Sequence, residues 1–186
     1  MFPSFAMTVL HSQGSTSGFP SHQKEGSVCS STENPGILVS KKWFPYFANM
    51  RRDGYDFDSL WDDGKANMRQ KKIMDLFEDD TRLFSYEVKE KAGFGKGGLK
   101  NFEGTITDLQ MMTYLCMRDF KKRINKKGEP YGWDVAIYAK PEQLFGYKHV
   151  TKAYKESPDE SRERIIKQIK KCFGVNDERI IGKIIK

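Results

Sequence analysis

Apolar residues recur at helical spacing from Met68 through Ile73, Leu76 and Phe77 and stop at the acidic run Glu78-Asp79-Asp80, which predicts a helix from about Ala66. Leu83-Phe84 then precede Ser85, a residue suited to cap a short helix Tyr86–Ala92 that Gly93 ends. Ile106, Leu109, Met112, Cys116 and Phe120 read as the inward stripe of a longer helix from Thr107, its cap, to Arg123. Gly128 and Pro130 mark a turn, and the period then changes: Tyr131, Trp133, Val135 and Ile137 alternate with Gly132, Asp134, Ala136 and Tyr138, as in a half-buried strand. Further on, Ser157-Pro158-Asp159-Glu160 combines an N-cap, a proline at the first helical position and a capping-box glutamate. The helix it opens points Ile165, Ile166, Ile169, Cys172 and Phe173 inward and ends at Gly174. A last short helix, capped near Asn176 or Asp177, carries Ile180, Ile181, Ile184 and Ile185.

The remaining stretches set the organisation. Residues 1–35 hold eight serines and one basic residue, Lys24, without an apolar period, and read as a flexible Ser-rich leader. Residues 36–65 are dense in aromatics but broken by Pro45, Gly54 and Gly64. Short elements are expected there, with Trp43, Phe44, Tyr46, Phe47, Tyr55, Phe57 and Trp61 packing on the core rather than stacking on bases. Residues 66–140 then form the core, and residues 141–186 the C-terminal helices. The expected fold class is α+β, mostly helical: a winged helix-turn-helix core with a β-hairpin wing, followed by C-terminal helices. The interval of some fourteen residues between its second and third helices is long for that motif.

Composition narrows the partners. With 38% hydrophobic and 31% charged residues the chain reads as globular, and no apolar run reaches the roughly 18 residues a membrane span needs. No secretion signal is visible, and three scattered cysteines suggest neither a disulfide framework nor a zinc site, so the cytoplasm is the expected compartment. The net charge is +7, and Lys91–Lys127 alone holds nine lysines and arginines against three acids, an excess of six. Positive charge concentrated in this way points to a polyanion, with double-stranded DNA the expected partner. The candidate contacts are Lys96, Lys100, Lys121, Lys122, Arg123, Lys126 and Lys127 for phosphates. Gln110 and Thr113, with Thr105, Asp108 and Tyr114, would form the polar side of a groove-reading helix.

Other chemistries find little footing. Gly93-Phe94-Gly95-Lys96-Gly97-Gly98 has the spacing of a dinucleotide loop, but a predicted helix precedes it and no acid ends a second strand. As a P-loop it lacks the Ser or Thr after Lys96. No nucleotide cofactor is expected. Asp56, Asp58, Asp62 and Asp63 have no histidine nearby and read as a surface turn rather than a metal site, and His149 stands alone.

The segments Lys42-Trp43-Phe44-Pro45-Tyr46-Phe47-Ala48-Asn49, Arg51-Arg52-Asp53-Gly54-Tyr55-Asp56-Phe57-Asp58, Ala92–Gly98, Phe102-Glu103-Gly104-Thr105 and Tyr131-Gly132-Trp133 resemble bacterial proteins of the AlkZ-related group over about residues 36–175. These are distant relatives of the AlkZ/YcaQ winged-helix glycosylases, which excise alkylated or crosslinked bases. The resemblance implies a winged-helix architecture and a DNA-repair context. The glycosylases position water with a Gln-apolar-Gln or Gln-apolar-Asp motif, of which Gln110-Met111-Met112 has only the first two elements, so no catalytic role is carried over. The leading expectation is a DNA-binding protein without independent catalysis. One alternative is a glycosylase, with Gln110 and Glu103 as its only candidates, and another is an interaction module using the C-terminal isoleucines.

Overall fold

The computed structural model describes residues 7–10, 37–78, 82–174 and 176–185. Two short strands come first, β1 (Met7–Leu10) and β2 (Ile37–Ser40), followed by α1 (Phe44–Arg52) and α2 (Phe57–Asp62). Helix α3 (Met68–Met74) runs into a 3-10 turn at Asp75–Phe77; β3 (Leu83–Phe84), α4 (Ser85–Lys91) and α5 (Phe102–Met111) follow. Strands β4 (Cys116–Ile124) and β5 (Pro130–Ala139) make a long hairpin, and α6 (Pro141–Phe145), α7 (Tyr147–Val150), α8 (Pro158–Phe173) and α9 (Glu178–Ile185) complete the chain. The fold is α+β, with helix the larger share.

Local chemistry explains most boundaries. The Asn67 side chain accepts from the Arg69 and Gln70 amides at 3.0 and 3.1 Å while the Gln70 side chain accepts from the Asn67 amide at 2.9 Å, a capping box that starts α3. At α4 the Glu87 carboxylate takes the Phe84 amide at 2.8 Å, so the cap lies one residue before Ser85. Ser157 and Glu160 form the expected box at α8, and Gly174, at φ +62°, ends that helix in the left-handed region that glycine favours.

Two apolar clusters share the interior. One gathers α2, α3, α4 and α5 around Ile73, Phe77, Val88, Leu109 and Leu115, with Tyr138 of β5 closing it. Each of these large side chains withdrawn from water contributes about 1.5–3 kcal/mol. The other joins α1 to the C-terminal helices: Phe44, Phe47 and Ala48 meet Phe145, Val150, Ile165, Ile169, Ile181 and Ile185. The aromatic-rich segment thus feeds both clusters, through α2 and α1 respectively. Ile181 and Ile185 are buried and Ile180 is 46% exposed; the Ile184 side chain lies outside the described residues.

Strands β3, β5 and β4 form an antiparallel sheet, and β1 and β2 extend it in parallel beyond β4, in the order β2-β1-β4-β5-β3. Residues Met7–Leu10 therefore form a strand within the segment expected to be a leader; the rest of residues 1–35 lies outside the described residues.

The helix expected over Thr107–Arg123 is corrected. α5 starts five residues earlier, at Phe102, and stops at Met111, and the residues after it pair as β4. The end is imposed from α1. Arg51 Nη1 donates to Met111 O at 2.8 Å and Arg52 Nη2 donates to Thr113 O, two carbonyls that a continuing helix would need for the amides of Leu115 and Met117. Thr113 itself sits at φ +65°, a reversal no helix accommodates. The apolar stripe Leu109, Met112, Cys116 and Phe120 fits helical spacing, but from Cys116 onward β5 supplies the partner.

Candidate nucleic-acid interface

The hairpin collects most of the predicted cations. Lys121, Lys122 and Arg123 lie on β4, on strand rather than at a helix end, and Lys126 and Lys127 occupy the turn between β4 and β5. Asn125 builds that turn: its side-chain oxygen accepts from the Lys127 and Glu129 amides, both at 2.9 Å, and its carbonyl takes the Gly128 amide at 3.0 Å. Gly128 at φ +81° completes a three-residue loop of the kind that joins twisted strands. All five cations are exposed. Lys121 pairs with Asp119 at 3.6 Å, and the Arg123 guanidinium lies 4.4 Å from the Tyr86 ring centre on α4, which braces the ribbon against the body. Among the described residues, Lys122, Lys126 and Lys127 make no ion pair, so their charge is open to an outside anion.

Lys96 and Lys100 are also exposed, but on the separate connection between α4 and α5. That connection closes on itself. The Phe94 amide donates to Lys89 O at 2.8 Å, Gly98 to Gly95 O at 3.1 Å and Leu99 to Gly93 O at 2.9 Å, while the Phe94 ring is buried against Phe102. The amides of Phe94, Gly98 and Leu99 are thus spent inside the loop rather than offered to a phosphate.

α5 does not present the polar side expected of it. Gln110 is 2% exposed and Thr113 fully buried, and Thr105 and Tyr114 are buried with them. Gln110 and Thr113 are corrected on this point: neither faces solvent, and Thr113 lies under the Arg52 guanidinium of α1. The outward positions of α5 include Glu103 and Asp108, so this face carries acid. The Glu103 carboxyl is held below its ordinary range by its own amide and then by Lys89, with which it pairs at 3.2 Å. Burial pushes the Asp108 carboxyl up, opposed by Arg69.

Sequence reasoning missed Arg52 and Asn49. Arg52 Nε donates to Thr113 Oγ1 at 3.0 Å, its Nη1 pairs with the Glu142 carboxylate, and its guanidinium lies 4.6 Å from the Tyr114 ring centre. Burial, the largest influence, would pull this guanidinium's pKa down; Glu142, with Tyr154 and Tyr114, offsets it, and the group stays charged with its pKa raised. Asn49 Nδ2 donates to Glu156 O at 2.9 Å and Ser161 Oγ at 3.0 Å. Both residues lie beside aromatics in α1, and only their partners, sixty or more positions away, reveal them as buried.

Among the described residues no three His, Cys, Asp or Glu side chains gather as a metal site, and no helix is long and apolar enough to cross a membrane. Comparison with curated proteins and with solved structures returned no match. The family model described as AlkZ related matches residues 33–186. That span takes in both apolar clusters, the hairpin and the α1 arginines, and the chain belongs to the AlkZ-related family.

Proposed function

We propose that the chain is a winged-helix DNA-binding protein that grips the phosphate backbone of duplex DNA with its β4–β5 hairpin and has no catalysis of its own. The carrying observation is the ribbon itself: Lys121, Lys122, Arg123, Lys126 and Lys127 exposed on a narrow hairpin, three of them without an acidic partner among the described residues. The element order supports the winged-helix reading: α3, β3, α4, α5, β4, turn, β5, with β3 and β4 on either side of β5. Membership of the AlkZ-related family supports a DNA-repair setting. The buried Gln110 and Thr113 and the acidic outward residues of α5 favour contact through the hairpin over base reading by that helix.

Phosphate contacts release condensed counterions, so affinity falls steeply with salt: five contacts give a slope of about −4.5 in log K against log[salt]. Titration of a labelled duplex at several salt concentrations tests this. A protein that fails to bind duplex at low salt refutes the reading.

A further inference from the structure

Phosphate binding accounts for the lysines of the hairpin but not for its apolar residues. Seven large apolar side chains are exposed among the described residues, and four of them, Phe120, Ile124, Tyr131 and Trp133, share this hairpin. Scattered exposed residues need no explanation; a cluster on the same element as the cations does. Trp133 stands out at 91% exposed.

The backbone around it is irregular. β4 and β5 pair regularly at Lys121 with Val135 and again at Arg123 with Tyr131. Between these pairs Lys122 alone on β4 faces three residues of β5, Gly132, Trp133 and Asp134. The excess is a bulge, which bends a strand and re-aims a side chain. Gly132 sits in it at φ +73°, a conformation that suits glycine. Every residue from Pro130 to Asp134 is exposed, because this half of β5 extends beyond the buried Ile137–Ala139, and the indole stands in solvent on the same stretch of ribbon as Lys122.

An exposed indole on a ribbon that also carries lysines without an ion-pair partner among the described residues matches one nucleotide unit: a base to stack on the ring and a phosphate to meet a lysine. A two-stranded ribbon bearing single rings between charges offers too little continuous apolar area to insert into a lipid layer, and its positive excess selects a polyanion. In an intact duplex both faces of every base are already stacked, so the exposed ring has use only where a base is unpaired. We propose that Trp133 is a stacking site for an unpaired nucleobase, so that the protein prefers DNA containing a single-stranded gap to the intact duplex. This rests on the phosphate-binding reading above and adds a specificity to it.

The test is a titration of three probes: a labelled intact duplex, the same duplex with a three-nucleotide gap, and anionic phospholipid vesicles. Wild type, Trp133→Ala and Trp133→Phe are compared. Stacking predicts a preference of about tenfold for the gapped duplex, lost in Trp133→Ala and largely kept in Trp133→Phe, with intact-duplex affinity changed less than about twofold. Because Trp133 is exposed, both variants should keep the wild-type melting temperature, which checks their fold. Equal wild-type affinity for gapped and intact duplex overturns the stacking site and leaves phosphate binding standing. A preference that survives Trp133→Ala overturns it as well. Absence of binding to either DNA removes both readings, and vesicle binding that depends on Trp133 replaces the nucleobase with a membrane surface.

Discussion

Arg52 of α1 and Thr113, sixty-one positions later, are joined by a 3.0 Å hydrogen bond from the guanidinium Nε to the threonine hydroxyl, in a site where both residues are buried. The same guanidinium donates to the Thr113 carbonyl and pairs with Glu142 of α6. One side chain therefore fastens α1 to the end of α5 and to the start of the C-terminal helices. Replacing it with Met leaves the carbonyl and the Glu142 carboxylate without that partner. Glu142 is 25% exposed, which lets water take part of the load, so the expected loss is at the lower end for a broken buried pair, about 3 kcal/mol. Urea unfolding measures it. Adding Glu142→Leu should recover part of the loss, whereas Arg52→Lys, lacking the planar fork, should behave much like Arg52→Met.

The α4–α5 loop depends on Gly98 for a different reason. A Cβ at this position would lie 2.3 Å from the Gly93 carbonyl oxygen, which accepts the Leu99 amide. Gly98→Ala must therefore open the loop, at a cost of about 1–3 kcal/mol. Hydrogen exchange at the Leu99 amide should speed up in this variant. Unchanged protection of Leu99 would show that the loop can shift without breaking.

These two sites also show what a single sequence can and cannot reveal. Ser157-Pro158-Asp159-Glu160 was legible as a helix start because every group involved lies within one turn, and the structure places the Ser157 and Glu160 bonds as expected. The strand over Tyr131–Tyr138 was legible from alternation, though in its outer half, up to Asp134, both faces are exposed and the alternation carries no burial. The end of α5 was not legible. Its stripe continues through Cys116 and Phe120, and what stops it is a pair of arginines from α1 whose approach depends on the packing of α1 against α8. For the candidate site, charge alone gathered the lysines into one stretch of sequence, which the fold divides between the hairpin and the α4–α5 connection; carrying the helix past Met111 turned Thr113 outward, whereas Gln110 lies on α5 as expected but on its buried side.

If the hairpin holds duplex DNA by its phosphates, the three lysines without an ion-pair partner among the described residues carry a countable share. Lys122→Ala, Lys126→Ala and Lys127→Ala together should weaken binding to every duplex sequence alike and lower the magnitude of the salt slope by about 2.7. These residues are exposed and make no ion pair among the described residues, so the melting temperature should barely move. Lys121 and Arg123 are left in place because Asp119 and the Tyr86 ring engage them within the fold. A loss confined to one DNA sequence would mean base reading instead.

Gln110 separates an interior role from a DNA-reading one. At 2% exposure its side chain cannot reach a ligand outside the protein without local opening, and as a buried polar group it takes part in bonding that truncation would remove. Gln110→Met fills nearly the same volume without the amide. The expected outcome is a fall in stability of about 1–3 kcal/mol by urea unfolding, with duplex affinity within about twofold of wild type at fixed salt. Had the residue lain on the exposed side of a groove-reading helix, the pattern would reverse, with stability kept and affinity lost. A folded Gln110→Met protein with a tenfold weaker duplex affinity would return α5 to the interface and displace the hairpin as its principal element.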